Sequence, residues 1–347
     1  MADLAHIAWR MVEHDKGLLA IDESVDTCNR RFAALGIPET IEMRRAWREL
    51  IVTTPDLERW IGAVILSDET IRQTTSSGAS FVSVLDRAEI LAGIKVDEGT
   101  IMLAGHPDEK ITEGLDGLRG RLAAYVEMGA RFAKWRGVIV IGPTLPSRGC
   151  LEGNAMMLAR YAAICQQDGL VPVVEPEVLM KGAHNLARDA EVTEAILHAF
   201  FRHADEQGVV LEAMILKPNM VLPGTDCAVQ AGVDAVADAT VNALLHTVPA
   251  AVPGVAFLSG GQPAELASVR LNAMNNRFRG RMPWQLAFSF ARAIQQPALE
   301  IWAGRDDRTA AAQASIAHRA MCNHAARRGG YDAAVEAALP GDSHDGQ

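Results

Sequence analysis

The chain has 347 residues, 49% of them hydrophobic and 22% charged, which is ample for a large core and ordinary for one barrel-type domain. Its formal net charge of −10 argues against nucleic acid and an anionic membrane surface as main partners, although local cations can still hold a small anionic substrate. Its five cysteines, Cys28, Cys150, Cys165, Cys227 and Cys322, form no CxxC pair, so free thiols in a reducing, cytoplasmic compartment are expected.

The first segment, MADLAHIAWRMVEHDKG, carries acidic residues and lacks an apolar h-region, so it does not read as a signal peptide. Leu4, Ile7, Ala8, Met11 and Val12 share one face and predict an N-terminal helix. Short apolar runs follow: Leu18–Ile21, Ala63–Leu66, Ile90–Val96, Phe132–Ile141, Val171–Val174, Leu211–Leu216, Val255–Leu258 and Leu286–Phe290. They recur roughly every 30–45 residues with helical pattern between most of them, the rhythm of parallel βα units. Gly129, Gly169 and Gly208 stand as helix C-terminal caps just before the next run. The segment Ala155–Asp168 shows the helical pattern, with Met157, Tyr161, Ile164 and Cys165 on one face.

These runs predict an α/β fold, a closed (β/α)8 barrel of the TIM type. An open doubly wound sheet would carry a glycine-rich phosphate fingerprint after its first strand, whereas here Asp22-Glu23-Ser24 follows. One domain is expected over 1–347, with the barrel at about 17–300 and a helical region and tail at about 301–347. Beyond Arg292 the pattern is helical to about Ala326, and Gly341–Gln347 is expected to be disordered. No run approaches membrane-spanning length.

In such a barrel the active site lies at the C-terminal strand ends. The runs end on, or contain near their ends, Asp22, Lys95, Lys134 with Arg136, Glu175 with Glu177, Lys217, Ser259-Gly260-Gly261, and Arg292. Lys134 and Arg136 are two apart, as are Glu175 and Glu177, so each pair points to one face of its strand. Alone, a strand-end charge is most often solvated or paired; together these groups form a constellation. The segment LEAMILKPNM concentrates the chemistry: an apolar run stops at Lys217, and Pro218 cannot continue the ladder. Burial and a neighbouring Lys134 both disfavour an ammonium, which favours a nucleophilic amine able to form a Schiff base. The carboxylates supply general acid–base steps if their surroundings separate their proton affinities. Ser259-Gly260-Gly261 offers backbone N–H groups to a phosphate, and Arg292 and Lys95 are cations for phosphate oxygens.

The segments GLLAIDES, GIKVDEGT, LDGLRGR, FAKWRGV, LARYAAICQQDGLVPVVEPEV, ILKPNMVLPG, FLSGGQ, LNAMN and FSFARA, in this order, resemble class I fructose-bisphosphate aldolase over roughly residues 10–335. The resemblance implies a homotetrameric barrel enzyme of glycolysis and gluconeogenesis. It would cleave fructose 1,6-bisphosphate reversibly to dihydroxyacetone phosphate and glyceraldehyde 3-phosphate, without metal or other cofactor. It implies that Lys217 is the Schiff-base lysine, and that Glu175 manages carbinolamine dehydration and proton transfer at C4. Asp22, Lys134 and Glu177 would orient the hydroxyls and tune the lysine. Arg136 stands with the substrate-binding residues. Ser259, Gly260, Gly261 and Arg292 would hold the phosphate next to the ketone, and Lys95, Ser24, Thr27 and Arg31 the distal one.

The sequence departs from the family at Glu212-Ala213, where Glu-Gly is usual, and at Thr27-Cys28-Asn29, where glycine and serine are typical. Animal members end in a tyrosine that protonates the enamine; this sequence ends in Gln347 and its late tyrosine is Tyr331, so a slower or differently served proton transfer is expected. Aldol substrates with seven carbons or one phosphate stay open, as does a binding role with a decayed site. A metal-dependent aldolase is disfavoured, because the histidines are scattered and His318 and His324 show no zinc-type spacing.

Overall fold

The computed structural model describes residues 1–338, so the expectations for Gly341–Gln347 lie outside the described residues. Ten strands form: β1 (Gly17–Ala20), β2 (Ile61–Leu66), β3 (Leu91–Lys95), β4 (Thr100–Met102), β5 (Lys110–Thr112), β6 (Phe132–Ile139), β7 (Val171–Val178), β8 (Ile215–Leu216), β9 (Gly254–Phe257) and β10 (Gln285–Phe290). All but β4 and β5 close into a parallel barrel in the order β1-β2-β3-β6-β7-β8-β9-β10. Each apolar run of the sequence supplies one barrel strand, because strands buried on both faces are apolar throughout.

Two apolar layers hold the barrel. The interior is filled by Leu18, Ala20, Ala63, Ile65, Leu91, Phe132, Val171, Val173, Ile215, Ala256 and Ala287. The N-terminal helix Ala2–Arg10 and the turn after it close the lower end with Leu4, Ala8, Met11 and Val12. The alternate strand residues pack outward against the helices. Gly93 is needed where it stands: a side chain there would meet the ring of Phe132 at 2.2 Å. Gly129, Gly169 and Gly208 all have positive φ at helix ends, as the cap reading expects.

Three local features go beyond the sequence reading. The run Leu211–Leu216 is not one strand: Leu211–Ala213 forms a turn of 3-10 helix, and only Ile215–Leu216 pairs. Glu212 is exposed, so this end of the run cannot sit in the barrel wall. The region after Arg292 is helical to Arg327 as expected, but it is broken between Arg292–Trp302 and Thr309–Arg327, where Ala303 and Gly304 take positive φ. The antiparallel hairpin β4–β5 has no forerunner in the sequence pattern, since Thr100–Met102 is exposed on both faces and shows no alternation.

Candidate active site

The inward parity of the strands places the charges. Four barrel strands run upward through apolar inward residues and end on a polar one: Ala20 then Asp22, Phe132 then Lys134 and Arg136, Val173 then Glu175 and Glu177, Ile215 then Lys217. The apolar floor of the barrel thus becomes a charged mouth within one or two residues. Lys217 is held upright by backbone pairing, its N–H donating to Val174 O at 2.8 Å, and Leu258 N–H donates to Pro218 O at 3.0 Å.

At the centre, Asp22, Lys134, Glu175 and Lys217 are exposed by only 7%, 5%, 4% and 3%, so their charges must be satisfied by one another. Lys134 Nζ lies 2.9 Å from Asp22 Oδ2 and 2.6 Å from Glu175 Oε2, and Lys217 Nζ lies 3.3 Å from Glu175 Oε1. Burial alone would lower the pKa of Lys134, but Asp22 and Glu175 outweigh it and hold the ammonium charged far above its ordinary range. Burial raises Asp22, yet Lys134 and Lys217 prevail and bring it from its ordinary 3.8 to about 2. For Glu175 too, burial is the largest influence and raises its pKa, but the cations Lys134, Lys217 and Arg136 together leave it lowered. Both carboxylates therefore stand on the ionised side, held there by Lys134 and Lys217 together.

The pocket is a cleft of about 860 Å³. It is lined by thirteen of the fourteen predicted site residues; Gly261 is not in its wall. Instead, a side chain at Gly261 would come 3.0 Å from Nη2 of Arg292, so the glycine lets that guanidinium lie against the turn. Gly260 and Gly261 have φ of 57° and 88°, a left-handed pair that only glycine adopts without strain. Arg136 forms an ion pair with Glu177.

Towards the outer rim the predicted distal-phosphate cations are already engaged. Lys95 Nζ is 2.7 Å from Asp97 Oδ1. Arg31 Nη1 is 2.5 Å from Glu23 Oε1, and Arg48 holds the other oxygen of Glu23 at 2.8 Å. Ser24 caps the helix Val25–Ala33, accepting from Thr27 N–H.

Sequence reasoning missed Glu23, Asp97 and Ser289 in this wall. Asp97 stands two residues past Lys95 in GIKVDEGT, and Ser289 two past the inward Ala287, so strand parity could have found both. The structure also brings His318, Cys322 and Glu336 together, with donor atoms within 4.8 Å, which the linear spacing of the histidines hides. That group is not in the pocket wall, and both oxygens of Glu336 already accept from Arg319 at 2.6 and 2.7 Å.

A buried amine at a barrel strand end, beside carboxylates and in a cleft that also holds guanidinium groups, defines a class of protein: a Schiff-base carbon–carbon lyase acting on a phosphorylated sugar. The comparisons with known proteins agree. The family model described as Glycolytic, "Fructose-bisphosphate aldolase class-I", matches residues 3–344. A "Probable fructose-bisphosphate aldolase class 1" of Xylella fastidiosa is 53% identical over 299 residues, covering 86% of this chain and 89% of the relative. "Fructose-bisphosphate aldolase 4, cytosolic" of Arabidopsis thaliana is 48% identical over 316 residues, covering 91% and 80%. The solved fructose-bisphosphate aldolase of Plasmodium falciparum, in complex with TRAP and a small-molecule inhibitor, superposes with a TM-score of 0.93 at 43% identity over 95% of each chain. The chain belongs to the class I fructose-bisphosphate aldolase family.

Proposed function

We propose that Lys217 is the Schiff-base nucleophile and Glu175 its acid–base partner in the reversible cleavage of fructose 1,6-bisphosphate to dihydroxyacetone phosphate and glyceraldehyde 3-phosphate. The observation that supports this most directly is the 3.3 Å approach of Lys217 Nζ to Glu175 in a buried, charge-matched centre. The C3–C4 bond breaks only if its electron pair has an acceptor, and a protonated imine at C2 is that acceptor. Glu175, ionised at rest, removes the C4 hydroxyl proton as the bond opens. Once Lys217 nitrogen is a neutral carbinolamine, one of the cations that lowers Glu175 is gone. Its proton affinity then rises at the step where water must leave.

Lys134 holds Asp22 and Glu175 ionised and oriented, and Glu177 and Arg136 complete the wall that orients the hydroxyls. Ser259, Gly260, Gly261 and Arg292 take the phosphate beside the ketone. Lys95, Arg31, Ser24 and Thr27 face the distal one. Binding energy from the two phosphates fixes the reacting carbons between them.

Membership of the family also supports a homotetramer, which sedimentation of the purified protein would test. The net charge of −10 supports a protein without nucleic-acid or membrane partners. No helix of the described residues is long and apolar enough to cross a membrane. The plant relatives named as cytosolic support a cytoplasmic location.

Borohydride reduction in the presence of dihydroxyacetone phosphate, followed by peptide mapping, tests the assignment. The adduct is expected on Lys217; an adduct elsewhere, or none on folded protein, overturns it.

A further inference from the structure

We propose that Arg270 and Gln262 are positioning residues that aim the turn Ser259–Gly261 at the substrate phosphate beside the ketone. This rests on the reading of that turn as a phosphate site. Arg270 lies in the helix Ala264–Arg277 and is only 7% exposed. Among the described residues no carboxylate forms an ion pair with it, and its Nε has no partner. Burial alone acts on its pKa, lowering it, with no acid to oppose the shift. A buried cation without a counter-ion is costly, so its one strong side-chain contact carries weight: Nη1 donates to Gln262 Oε1 at 2.7 Å.

That contact orients the Gln262 amide. A guanidinium has donors and no acceptor, so only the carbonyl end of Gln262 can face it. The amide nitrogen must then point away, and there Nε2 donates to Ser259 O at 3.1 Å. The same oxygen accepts from Gln262 N–H at 3.0 Å. Two donors therefore hold the Ser259 carbonyl on the side away from the pocket. In a trans peptide the carbonyl and the following N–H point in opposite directions. Gly260 N–H is thereby turned towards the pocket, whose wall Ser259 and Gly260 form and Gln262 does not. The left-handed glycines complete the turn. The relay also has a sign: an uncompensated positive charge stands behind a row of N–H donors, and each polarises the next towards an anion in front.

The test uses the full-length variants Q262E, R270M and R292M. Borohydride-trapped adduct is measured against concentration for dihydroxyacetone phosphate and for unphosphorylated dihydroxyacetone. Q262E gives Arg270 a carboxylate partner and so preserves the buried packing, while it removes the donor to Ser259 O and sets a negative charge behind the turn. Q262E and R270M are expected to raise the half-saturating concentration of dihydroxyacetone phosphate about tenfold or more, with dihydroxyacetone unchanged. An equal loss for both ketones, or no loss in folded Q262E, overturns the proposal. R292M reports on the phosphate site itself. If R292M alone loses its preference for the phosphorylated ketone, the site stands and the relay is wrong. If R292M also keeps the preference, the phosphate reading fails and the relay falls with it.

Discussion

Glu175 Oε1 lies 3.3 Å from Nζ of Lys217, and the two side chains rise from the neighbouring strands β7 and β8. Their pairing register makes the approach unavoidable: Val174 lies opposite Leu216, so the next inward residues, Glu175 and Lys217, meet above the apolar floor. The second oxygen of Glu175 is taken by Lys134. One carboxylate thus touches two buried lysines.

Replacing Glu175 by Gln keeps the shape and removes the proposed base. The kcat of E175Q is expected to fall by roughly 10²–10⁴-fold. Because Lys217 remains, a Schiff base with dihydroxyacetone phosphate should still be trapped, only more slowly. Full-rate cleavage by E175Q in a steady-state assay would remove Glu175 from the chemistry.

Lys134→Met leaves Asp22 and Glu175 without their shared cation. Breaking a buried charge pair from one side costs about 3–5 kcal/mol, so K134M should unfold at distinctly lower denaturant concentration and be inactive. Chemical denaturation monitored by circular dichroism measures it.

Asp22 supplies a pH signature. Its pKa in the fold is depressed from 3.8 to about 2, so its contribution is complete above pH 3.8 and is lost as the pH falls through about 2. The contribution is on the order of 2 kcal/mol. Wild type should therefore lose stability over that window more steeply than D22N. Parallel acid titrations of the two proteins would show curves of equal slope if Asp22 had no such role.

Tyr331 is a structural tyrosine. Its hydroxyl donates to Glu336 Oε2 at 2.5 Å, Glu336 is held by Arg319, and the residue is buried outside the pocket wall. Burial, first, and the hydrogen bond to Glu336 push its phenol well above the ordinary range, which is the wrong direction for a proton donor. Tyr331→Phe is expected to leave kcat within about twofold and to cost roughly 1 kcal/mol of stability. A large fall in turnover with stability intact would assign it a catalytic part.

Lys95→Met tests the proposed distal-phosphate contact. Lys95 is partly exposed and shares its charge with Asp97. Its loss should lower kcat/KM for fructose 1,6-bisphosphate by about tenfold while barely changing that for the monophosphate. Equal losses on both substrates would place Lys95 elsewhere in the mechanism.

Much of this protein was written along the chain. Eight apolar runs predict the barrel because a parallel strand buried on both faces tolerates little else, and Lys134/Arg136 and Glu175/Glu177 share faces because the strand period is two. Long motifs carried the family. What the chain could not display is pairing between distant residues. Lys134 meeting both Asp22 and Glu175 depends on β1, β6 and β7 converging at one mouth. The hold of Glu23 by both Arg31 and Arg48 was equally hidden, as was Arg270 behind the turn Ser259–Gly261. Strand periodicity and residue type are local and set by covalent geometry. The charge state of a buried group is set by whatever the closed barrel brings within a few ångströms of it, and only the tertiary structure decides that.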